Sequence, residues 1–443
     1  MRSGRSIPRE VLSADAIWLA DQRFWARPLE EREGAFATLR RERPISWHEE
    51  PEILILPKGP GFWAVTRHAD ILEVSRQPEL FCSGKGSNIS DMPPAFNEFF
   101  GSMINMDDPR HARLRRIVSR GFTPRVIGRV EADVKRAAAQ IVDGVVEKGE
   151  CDFVTEIAAQ LPLKIICDMT AIPASQYQFV FERTNTILGA GDPEYGSTDP
   201  AQIIPKLLNA GAELAQLAQD LAKHRRGKPG DDLVSVLINA ELDGETLTDQ
   251  EFASFFVLLV AAGNETTRNA ISHGMQALCD HPEQRRIWAA DFDRVAPTAV
   301  DEIVRWATPV IHFRRTATRD TVLRGQKIAA GQKVVLWYCS GNRDEEKFER
   351  PFDFDVRRSP NEHVGFGGPG PHYCMGAHLA RREITVMFRE LFERLPDLQI
   401  EGPPDKLLSF FIHGIKHMRC TFKPGGLRKT DASIHPTSPA PET

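Results

Sequence analysis

The sequence predicts a mainly α-helical fold with small β-sheets. Apolar residues follow helical spacing through most of residues 110–280, whereas strand-like runs are short and lie toward the two ends of the chain. No proline-, glycine- or serine-rich linker divides these regions. We therefore expect one folded domain over residues 31–424, preceded by an arm on the surface (1–30) and followed by a disordered tail (425–443).

The strand-like runs form two groups. Runs 53–56 and 62–65 are rich in β-branched and aromatic residues, and the Pro-Lys-Gly-Pro-Gly segment between them predicts a hairpin. Further short strands are expected at 308–316, 321–323 and 333–338. The helical region between the two groups is interrupted by polar, glycine- and proline-containing segments at 189–200 and 225–232, which predict loops.

Composition argues against several classes of protein. A net charge of −5 gives no reason to expect nucleic acid as the main partner. The seven cysteines lack both the paired spacing of a zinc site and the density of a disulfide scaffold, which fits a reducing compartment. No run reaches the roughly 18 apolar residues of a membrane span, and the first thirty residues contain no signal-peptide core. We expect a cytoplasmic protein with no membrane anchor and no nucleic-acid partner.

Cys374 is the residue most suggestive of chemistry. It closes a glycine-rich loop, 366–376, that runs into a helical pattern over 375–395. Backbone N–H groups and the positive end of a helix dipole favour a thiolate at such a place, and glycines let the backbone approach a large flat ligand. A thiolate of this kind suits haem iron, where it favours O–O cleavage. The alternative is a buried structural cysteine in a glycine turn.

A second signal lies in a helix that is apolar nearly all round, which predicts that it is buried. Its centre reads Ala-Gly-Asn-Glu-Thr-Thr at 262–267. Burying Glu265 without a partner is costly, and Gly263 beside two threonines predicts a local bulge or kink. An acid next to the alcohol of Thr266 is the pairing that a proton relay for oxygen activation needs. The alternative is a helix-capping or surface glutamate.

Charged side chains complete the pattern. Glu302 and Arg305 are spaced to pair on one helix, although this spacing is also common at solvated surfaces. A haem would bring two propionates, which need cations or strong donors when buried. The candidates for this role are His111, Arg115, Arg315 and His372.

Together these motifs resemble the cytochrome P-450 family of haem-thiolate monooxygenases over about residues 30–422. The cysteine loop, the 262–267 segment and the Glu302/Arg305 pair carry the resemblance, with the Asp-Pro-Arg-His run at 108–111 and the Asn-Arg-Asp turn at 342–344. It implies a single-domain cytochrome P-450 fold with haem b between the long buried helix (about 248–280) and the helix after Cys374. O2 would be the cosubstrate.

The resemblance also assigns roles to residues. Cys374 would bind the iron, and Glu265, Thr266 and Gly263 would serve oxygen activation. The residues implied to contact the haem are His111, Arg115, Arg315 and His372 at the propionates, with Phe366 and Gly376 beside the ring.

Two features depart from the family pattern. Phe366 stands eight residues before Cys374, one more than usual, which leaves its packing against the haem open. The arginine that usually completes the network of Glu302 and Arg305 is not at its expected position, and Arg350 or Arg357 could replace it.

Longer stretches, such as 34–41, 163–169, 336–339 and 411–416, resemble actinobacterial hydroxylases of methyl-branched lipids and of sterol side-chain ends. This implies attack on a terminal methyl of a branched lipid, isoprenoid or sterol side chain. Apolar residues suit such a hydrophobic small molecule, although many of them could simply be core. The expected pocket residues are Phe96, Phe99, Phe100, Met103, Leu259, Ala262, Val310 and Phe411.

Electrons must come from outside the chain, because too little sequence follows the cysteine loop to form a flavin or iron–sulfur module. The resemblance implies NAD(P)H as the source, with a ferredoxin and a ferredoxin reductase as partners. An arginine-rich stretch over 110–125 could steer an acidic ferredoxin, or could be a solvated helix face. The alternatives to a lipid hydroxylase are a hydroxylase of a small terpenoid or biosynthetic intermediate, and a non-catalytic haem sensor or carrier.

Overall fold

The structure is a computed structural model that describes residues 12–50, 58–122, 124–228, 230–241 and 244–426. It is mainly helical, as the sequence predicts. In chain order the α-helices are α1 (Gln22–Trp25), α2 (Leu29–Glu42), α3 (His68–Ser75), α4 (Pro94–Gly101), α5 (Arg110–Ser119), α6 (Pro124–Asp143), α7 (Gln160–Met169), α8 (Tyr177–Leu188), α9 (Pro200–Arg225), α10 (Leu233–Ile238), α11 (Asp249–Asp280), α12 (Pro282–Ala290), α13 (Phe292–Ala307), α14 (Tyr338–Gly341) and α15 (Ala377–Arg394).

The strands of the described residues form small sheets. They are β1 (Ile45–His48), β2 (Phe62–Val65), β3 (Phe81–Cys82), β4 (Glu150–Asp152), β5 (His312–Ala317), β6 (Thr321–Leu323), β7 (Gln326–Ile328), β8 (Lys333–Trp337), β9 (Gln399–Ile400), β10 (Asp405–Lys406), β11 (Ile415–His417) and β12 (Arg419–Thr421). The largest sheet has the order β1-β2-β8-β5-β3, in which only β2 and β8 are parallel. Smaller sheets pair β4-β12-β9, β6-β7 and β10-β11.

Most of the predicted strands are confirmed. Those at 62–65 and 321–323 match β2 and β6, and β8 ends one residue earlier than expected. The strand expected from residue 308 begins only at His312, because Thr308 caps α13 in the left-handed conformation with φ 38°. In the described residues β2 pairs with β1, whereas the run 53–56 of the predicted hairpin lies outside them.

The N-terminal arm, predicted to lie on the surface, places several apolar side chains of its described part in the core and leaves other residues exposed. Leu19 is fully buried, and Phe24 and Trp25 are 4% and 6% exposed. The Trp25 indole donates a hydrogen bond to the carbonyl of Leu19 at 2.8 Å and stacks on Trp337 of β8 with ring centroids 5.4 Å apart. Aromatic and aliphatic side chains without regular spacing therefore form part of the core beside the largest sheet.

The long helix α11 runs through the centre of the molecule. Its 32 residues span roughly 48 Å, and Thr248 and Glu251 form a capping box at its start. Buried side chains occupy nearly its whole circumference, and it contacts α7, α8, α9, α13 and α15. The helix continues as regular α-helix through residues 261–267, so the bulge predicted there is not formed.

The loops predicted at 189–200 and 225–232 separate α8 from α9 and α9 from α10, apart from residue 229, which is not described. The predicted tail lies outside the described residues from 427 onward. Among the described helices, none is long and apolar enough to cross a membrane.

Candidate active site

The cysteine loop brings several groups to bear on the Cys374 sulfur. Burial raises the pKa of this thiol above its ordinary value, while the N–H of Gly376 and the guanidinium groups of Arg115 and Arg381 act in the opposite direction. The backbone N–H of Cys374 donates to the carbonyl of Phe366 at 3.0 Å, which closes the loop. These donors and cations would support a thiolate once a metal cation replaced the thiol proton.

Two glycines allow the tight turns of the cysteine loop. Gly367 and Gly370 have φ of 86° and 148°, in the region that favours glycine. A β-carbon at Gly370 would lie 2.3 Å from the backbone oxygen of Ser75, the last residue of α3. The loop therefore packs its backbone directly against α3, which fixes the position of Cys374.

Cys374 is exposed even though burial dominates its pKa. The two observations agree if its accessible surface borders a space inside the protein rather than bulk solvent. The middle of α11 shows the same feature, because Ala262 is exposed and Leu259, Gly263 and Thr266 are partly exposed, whereas most of the remaining helix is buried. These four residues are spaced three or four apart and form one stripe on the helix.

Four cationic or titratable side chains predicted to bind propionates lie together near this loop. The rings of His111 and His372 are 4.3 Å apart, and Arg115 donates to the carbonyl of Tyr373 at 2.6 Å. Burial, together with the charges of Arg315, His111 and Arg115, lowers the pKa of His372 to about 2. The structure thus brings His111, Arg115, Arg315 and His372 into one cluster, whose positive charge comes from its two arginines.

This cluster has too few anions. Among the described residues, neither Arg115 nor Arg315 has a carboxylate partner, and the acid nearest His111, Asp108, lies 3.5 Å from its Nδ1. The Nε2 of His111 is buried without a hydrogen-bond partner. Buried cations and donors of this kind call for anionic groups. A ligand with carboxylates at its edge and a metal facing Cys374 satisfies both observations, so these residues fit haem.

Glu265 and Thr266, the acid and the alcohol predicted on α11, lie in different environments. Thr266 is partly exposed on the accessible stripe, and its hydroxyl donates to the carbonyl of Ala262 at 2.8 Å. Glu265 is 1% exposed and pairs with Arg268, while Asn269 donates to the same carboxylate oxygen at 3.2 Å. Sequence reasoning missed Arg268, although its spacing from Glu265 is the same as that of Arg305 from Glu302.

Buried polar groups continue from Glu265 toward α8. Arg268 donates to the side chain of Asn185 at 2.8 Å, and Asn264 donates to Thr184 at 3.4 Å. Glu265 Oε2, Asn264 Oδ1 and Arg268 Nε are all buried without a partner. Three such atoms at one interface indicate ordered water between the helices.

This polar interface leads toward a cavity. The Tyr195 ring packs against Gly189, one turn beyond Asn185, because a β-carbon at Gly189 would lie 2.7 Å from it. Tyr195 also lines an open cavity of about 500 Å³ between α8, α9 and the loop that joins them. Asn185 and Arg268 are buried polar groups between Gly189, where Tyr195 packs, and Glu265.

Glu302 and Arg305 form a buried pair rather than a surface pair. Both are 0% exposed, and two hydrogen bonds of 2.7 Å join the guanidinium to the carboxylate. The third member is Arg358, which donates to Glu302 at 3.0 Å, so neither Arg350 nor Arg357 takes that place. Burial alone would raise the pKa of Glu302, but these two arginines hold it below its ordinary value.

The predicted pocket residues fall into two apolar groups. Phe96, Phe99 and Phe100 of α4 are all partly buried, with ring centroids of 4.6 Å and 4.9 Å to Phe100. The carbonyl of Phe99 accepts a hydrogen bond from Ser254 of α11 at 2.8 Å, which holds α4 against the first half of that helix. Met103, just after α4, is buried in the core.

The second group lies nearer the other end of α11. Val310 forms an isolated bridge with Ile412, and the Phe411 ring lies 5.6 Å from that of Phe313. The backbone after this tip is fixed to α11, because Ile415 donates to Asn269 at 3.1 Å. The stripe of Leu259, Ala262, Gly263 and Thr266 lies along α11 between these two groups.

The arginine-rich stretch is largely engaged within the protein. Arg110 pairs with Glu98, and Arg113 pairs with Glu245 and Glu251. Arg120 donates to the carbonyl of Glu241 at 2.7 Å. The side chain of residue 125 is not described. Arg110 and Arg113 are therefore already paired with acids of the same chain.

Comparison with known proteins agrees with this site. The family profile for Cytochrome P450 matches residues 294–408. A methyl-branched lipid omega-hydroxylase of Mycobacterium tuberculosis is 52% identical over 418 residues, 94% of this chain and 96% of the relative. The chain belongs to the cytochrome P450 family. A steroid C26-monooxygenase of Mycolicibacterium smegmatis is 42% identical over 90% of this P450 and 91% of its own length.

A solved structure extends the similarity to the fold. The cytochrome P450 of Mycobacterium marinum in complex with pseudoionone has a TM-score of 0.87 and 46% identity, covering 95% of this chain and all of that one. This P450 is therefore a monooxygenase of the haem-iron type that uses O2 and external electron donors. The predicted mainly helical P450 fold is confirmed.

Proposed function

We propose that this P450 hydroxylates the terminal methyl of a methyl-branched lipid, an isoprenoid or a sterol side chain. The observation that carries the proposal is the 52% identity, over nearly the full length of both chains, to a methyl-branched lipid omega-hydroxylase. The structure supports it with the partly exposed α11 stripe, which is mostly apolar and lies between two groups of apolar side chains. Apolar side chains on both sides of the stripe suit the end of a branched chain.

We propose that the cofactor is haem b, with Cys374 as its iron ligand. His111, Arg115, Arg315 and His372 would hold the propionates, because they lie together and, among the described residues, neither arginine has a carboxylate partner. Phe366 and Gly376 would lie beside the ring. When bound, the haem uses O2, two electrons and two protons to place one oxygen atom in a C–H bond and release the other as water.

The roles of Glu265 and Thr266 follow from their positions. The Thr266 hydroxyl lies on the accessible stripe, where it can hold a water molecule once it turns away from the Ala262 carbonyl. Glu265 has one carboxylate oxygen fixed by Arg268 and one without a partner, so it can pass a proton between waters. Gly263 lies where the stripe meets α7, because a β-carbon there would come within 3.4 Å of the Ile166 side chain.

Protons would reach Glu265 from the cavity at Tyr195. The buried polar groups of Asn185 and Arg268 mark the route, and ordered water would complete it. Electrons would come from NAD(P)H through a ferredoxin reductase and a ferredoxin, which would dock near Cys374. Because Arg110 and Arg113 are paired internally, other cations on that face would have to attract an acidic ferredoxin.

One observation favours a second candidate. The M. marinum P450 was solved with pseudoionone, a small molecule, and it shares 46% of residues with this chain. A hydroxylase of a small terpenoid or biosynthetic intermediate would use the same fold and the same Glu265 and Thr266. A small terpenoid would occupy less of the distance between α4 and the Phe411 tip than a long lipid would.

An optical titration of the ferric protein distinguishes these candidates. We expect a methyl-branched fatty acid and cholestenone to displace water and shift the Soret band to shorter wavelength, with hydroxylation at the terminal methyl on turnover. A small terpenoid that alone gives a shift and a product would replace the lipid assignment. Haem-loaded protein that yields no oxygenated product from any of the three, with an active ferredoxin system, would contradict both.

A further inference from the structure

A buried arginine outside the proposed active site lacks a partner. Arg32 of α2 is 8% exposed, and its Nε is buried without a hydrogen bond. Among the described residues its guanidinium has no hydrogen bond and no ion pair, and it lies 5.6 Å from the centroid of the Trp25 ring. A guanidinium remains charged even when burial lowers its pKa, as it does here. The arrangement leaves a buried positive charge unsatisfied.

Arg32 faces a small cavity with an excess of positive charge. Arg32, Arg40 and Arg343 all line it, and its volume is about 40 Å³. Arg40 is matched by Glu345 through hydrogen bonds of 2.7 Å and 2.9 Å, and Arg343 is matched by Glu33 at 3.2 Å. The three arginines that line the cavity therefore share two acid partners, Glu345 and Glu33, and Arg32 pairs with neither.

Within the part of the chain that the structure describes, no carboxylate forms an ion pair with Arg32. Glu30 is on the same helix but is exposed, where water and salt screen it. The remaining lining is formed mainly by apolar and aromatic side chains, including Trp25, Phe36 and Trp306. A charge in such surroundings interacts strongly with any counter-ion that can enter.

We propose that this cavity binds one small monovalent anion of halide size against Arg32. One unmatched positive charge calls for one negative charge, and a space of about 40 Å³ admits a halide together with one water molecule. The water has a place, because His413 lines the same cavity and its Nε2 is buried without a partner. His413 Nδ1 donates to the Ala307 carbonyl at 2.6 Å, so Nε2 accepts a hydrogen bond, which water can donate.

The bound anion would join three parts of the protein. Arg32 belongs to α2, Ala307 ends α13, and His413 follows the Phe411 tip. The site is separate from the proposed haem and proton-relay residues. Its occupancy would stabilise the folded protein by mass action, because the unfolded chain has no such cavity.

Bromide is the probe that tests this site, because it can replace chloride and scatters anomalously. Crystals of the haem-loaded protein soaked in bromide should show an anomalous peak within hydrogen-bond distance of Arg32. A cavity that contains only water, or an Arg32 side chain turned to bulk solvent, would overturn the proposal. Bromide peaks only at exposed lysines and arginines would also overturn it, as adventitious ions only.

Thermal unfolding tests the site in solution. Replacing gluconate, which is too large for the cavity, by chloride at constant ionic strength should raise the melting temperature by a saturable amount of roughly 1–2 °C. Arg32→Gln should abolish this dependence, whereas Arg23→Gln, which removes an 85% exposed cation from the same region, should retain it. An equal chloride response in Arg32→Gln and the wild type would overturn the proposal.

Discussion

Arg358 gives the sharpest test of the buried charge network. It donates at 3.0 Å to Glu302 and also to the backbone carbonyls of Glu349, Arg350 and Asp353 at 2.6 Å, 3.0 Å and 2.9 Å. Arg358→Ala would remove these donors from a carboxylate that is 0% exposed. Each buried acceptor left without a donor costs about 1–3 kcal/mol.

The loss of stability in Arg358→Ala is limited by the hydrogen bonds that Arg305 retains. Arg305 keeps both of its bonds to Glu302 and continues to donate to the Asp353 carbonyl at 3.1 Å. We therefore expect a loss of about 3–5 kcal/mol, within the range for breaking a buried ion network. With about 2.1 cal/mol/K of unfolding entropy per residue, a chain of 443 residues should lose roughly 3–5 °C in melting temperature.

Arg357 provides the matched control, because it is the adjacent arginine and is exposed. Arg357→Ala should change the melting temperature by less than about 0.5 °C, since an exposed substitution away from such a network costs little. Both variants and the wild type would be melted side by side, haem-loaded, at one scan rate. If the two variants melt alike, Arg358 is not the third member of the network.

Three further outcomes are expected. Thr266→Ala should lower product formed per electron pair by at least about tenfold and release hydrogen peroxide, whereas Thr266→Ser should stay coupled; equal coupling in both would remove the hydroxyl from the relay. Burial lowers the pKa of His417, but the carboxylates of Glu194 and Asp152 raise this pKa by more, and Glu194 lies 2.8 Å from His417 Nε2. The protonated His417 therefore stabilises the fold below about pH 6.5, and this stabilisation is lost as pH rises through the raised pKa. The melting difference between wild type and His417→Gln should thus shrink from about pH 6 to about pH 9, and a difference that grew would reverse the sign. Gly370→Ala should cost about 1–3 kcal/mol and disturb the Soret band, because its β-carbon would meet the Ser75 backbone oxygen; a wild-type melt would contradict the packing of the loop.

The sequence was most informative where residues close together in the chain determine the environment of a side chain. A long apolar helix must be buried, and a cysteine before a helix meets its N–H groups, so α11 and the Cys374 loop could be located from the residues. Glu302 and Arg305 were predicted to pair because their spacing on a helix places them together.

Contacts between distant segments could not be predicted in the same way. Arg358 reaches Glu302 through an irregular segment whose path no periodicity defines, and its neighbours Arg350 and Arg357 appeared equally suitable. Trp25 is buried because it stacks on Trp337, more than 300 residues later in the chain. Such pairings depend on the tertiary fold and have no signal in local spacing.

Turnover under isotopically labelled dioxygen tests the proposed function most directly. The haem-loaded protein, supplied with a ferredoxin, its reductase and NADPH, would be given a methyl-branched fatty acid in ¹⁸O₂. The proposed function predicts one labelled oxygen atom in the product, on the terminal methyl carbon of the chain. Unlabelled product, or label only at internal carbons, would contradict terminal hydroxylation by this P450.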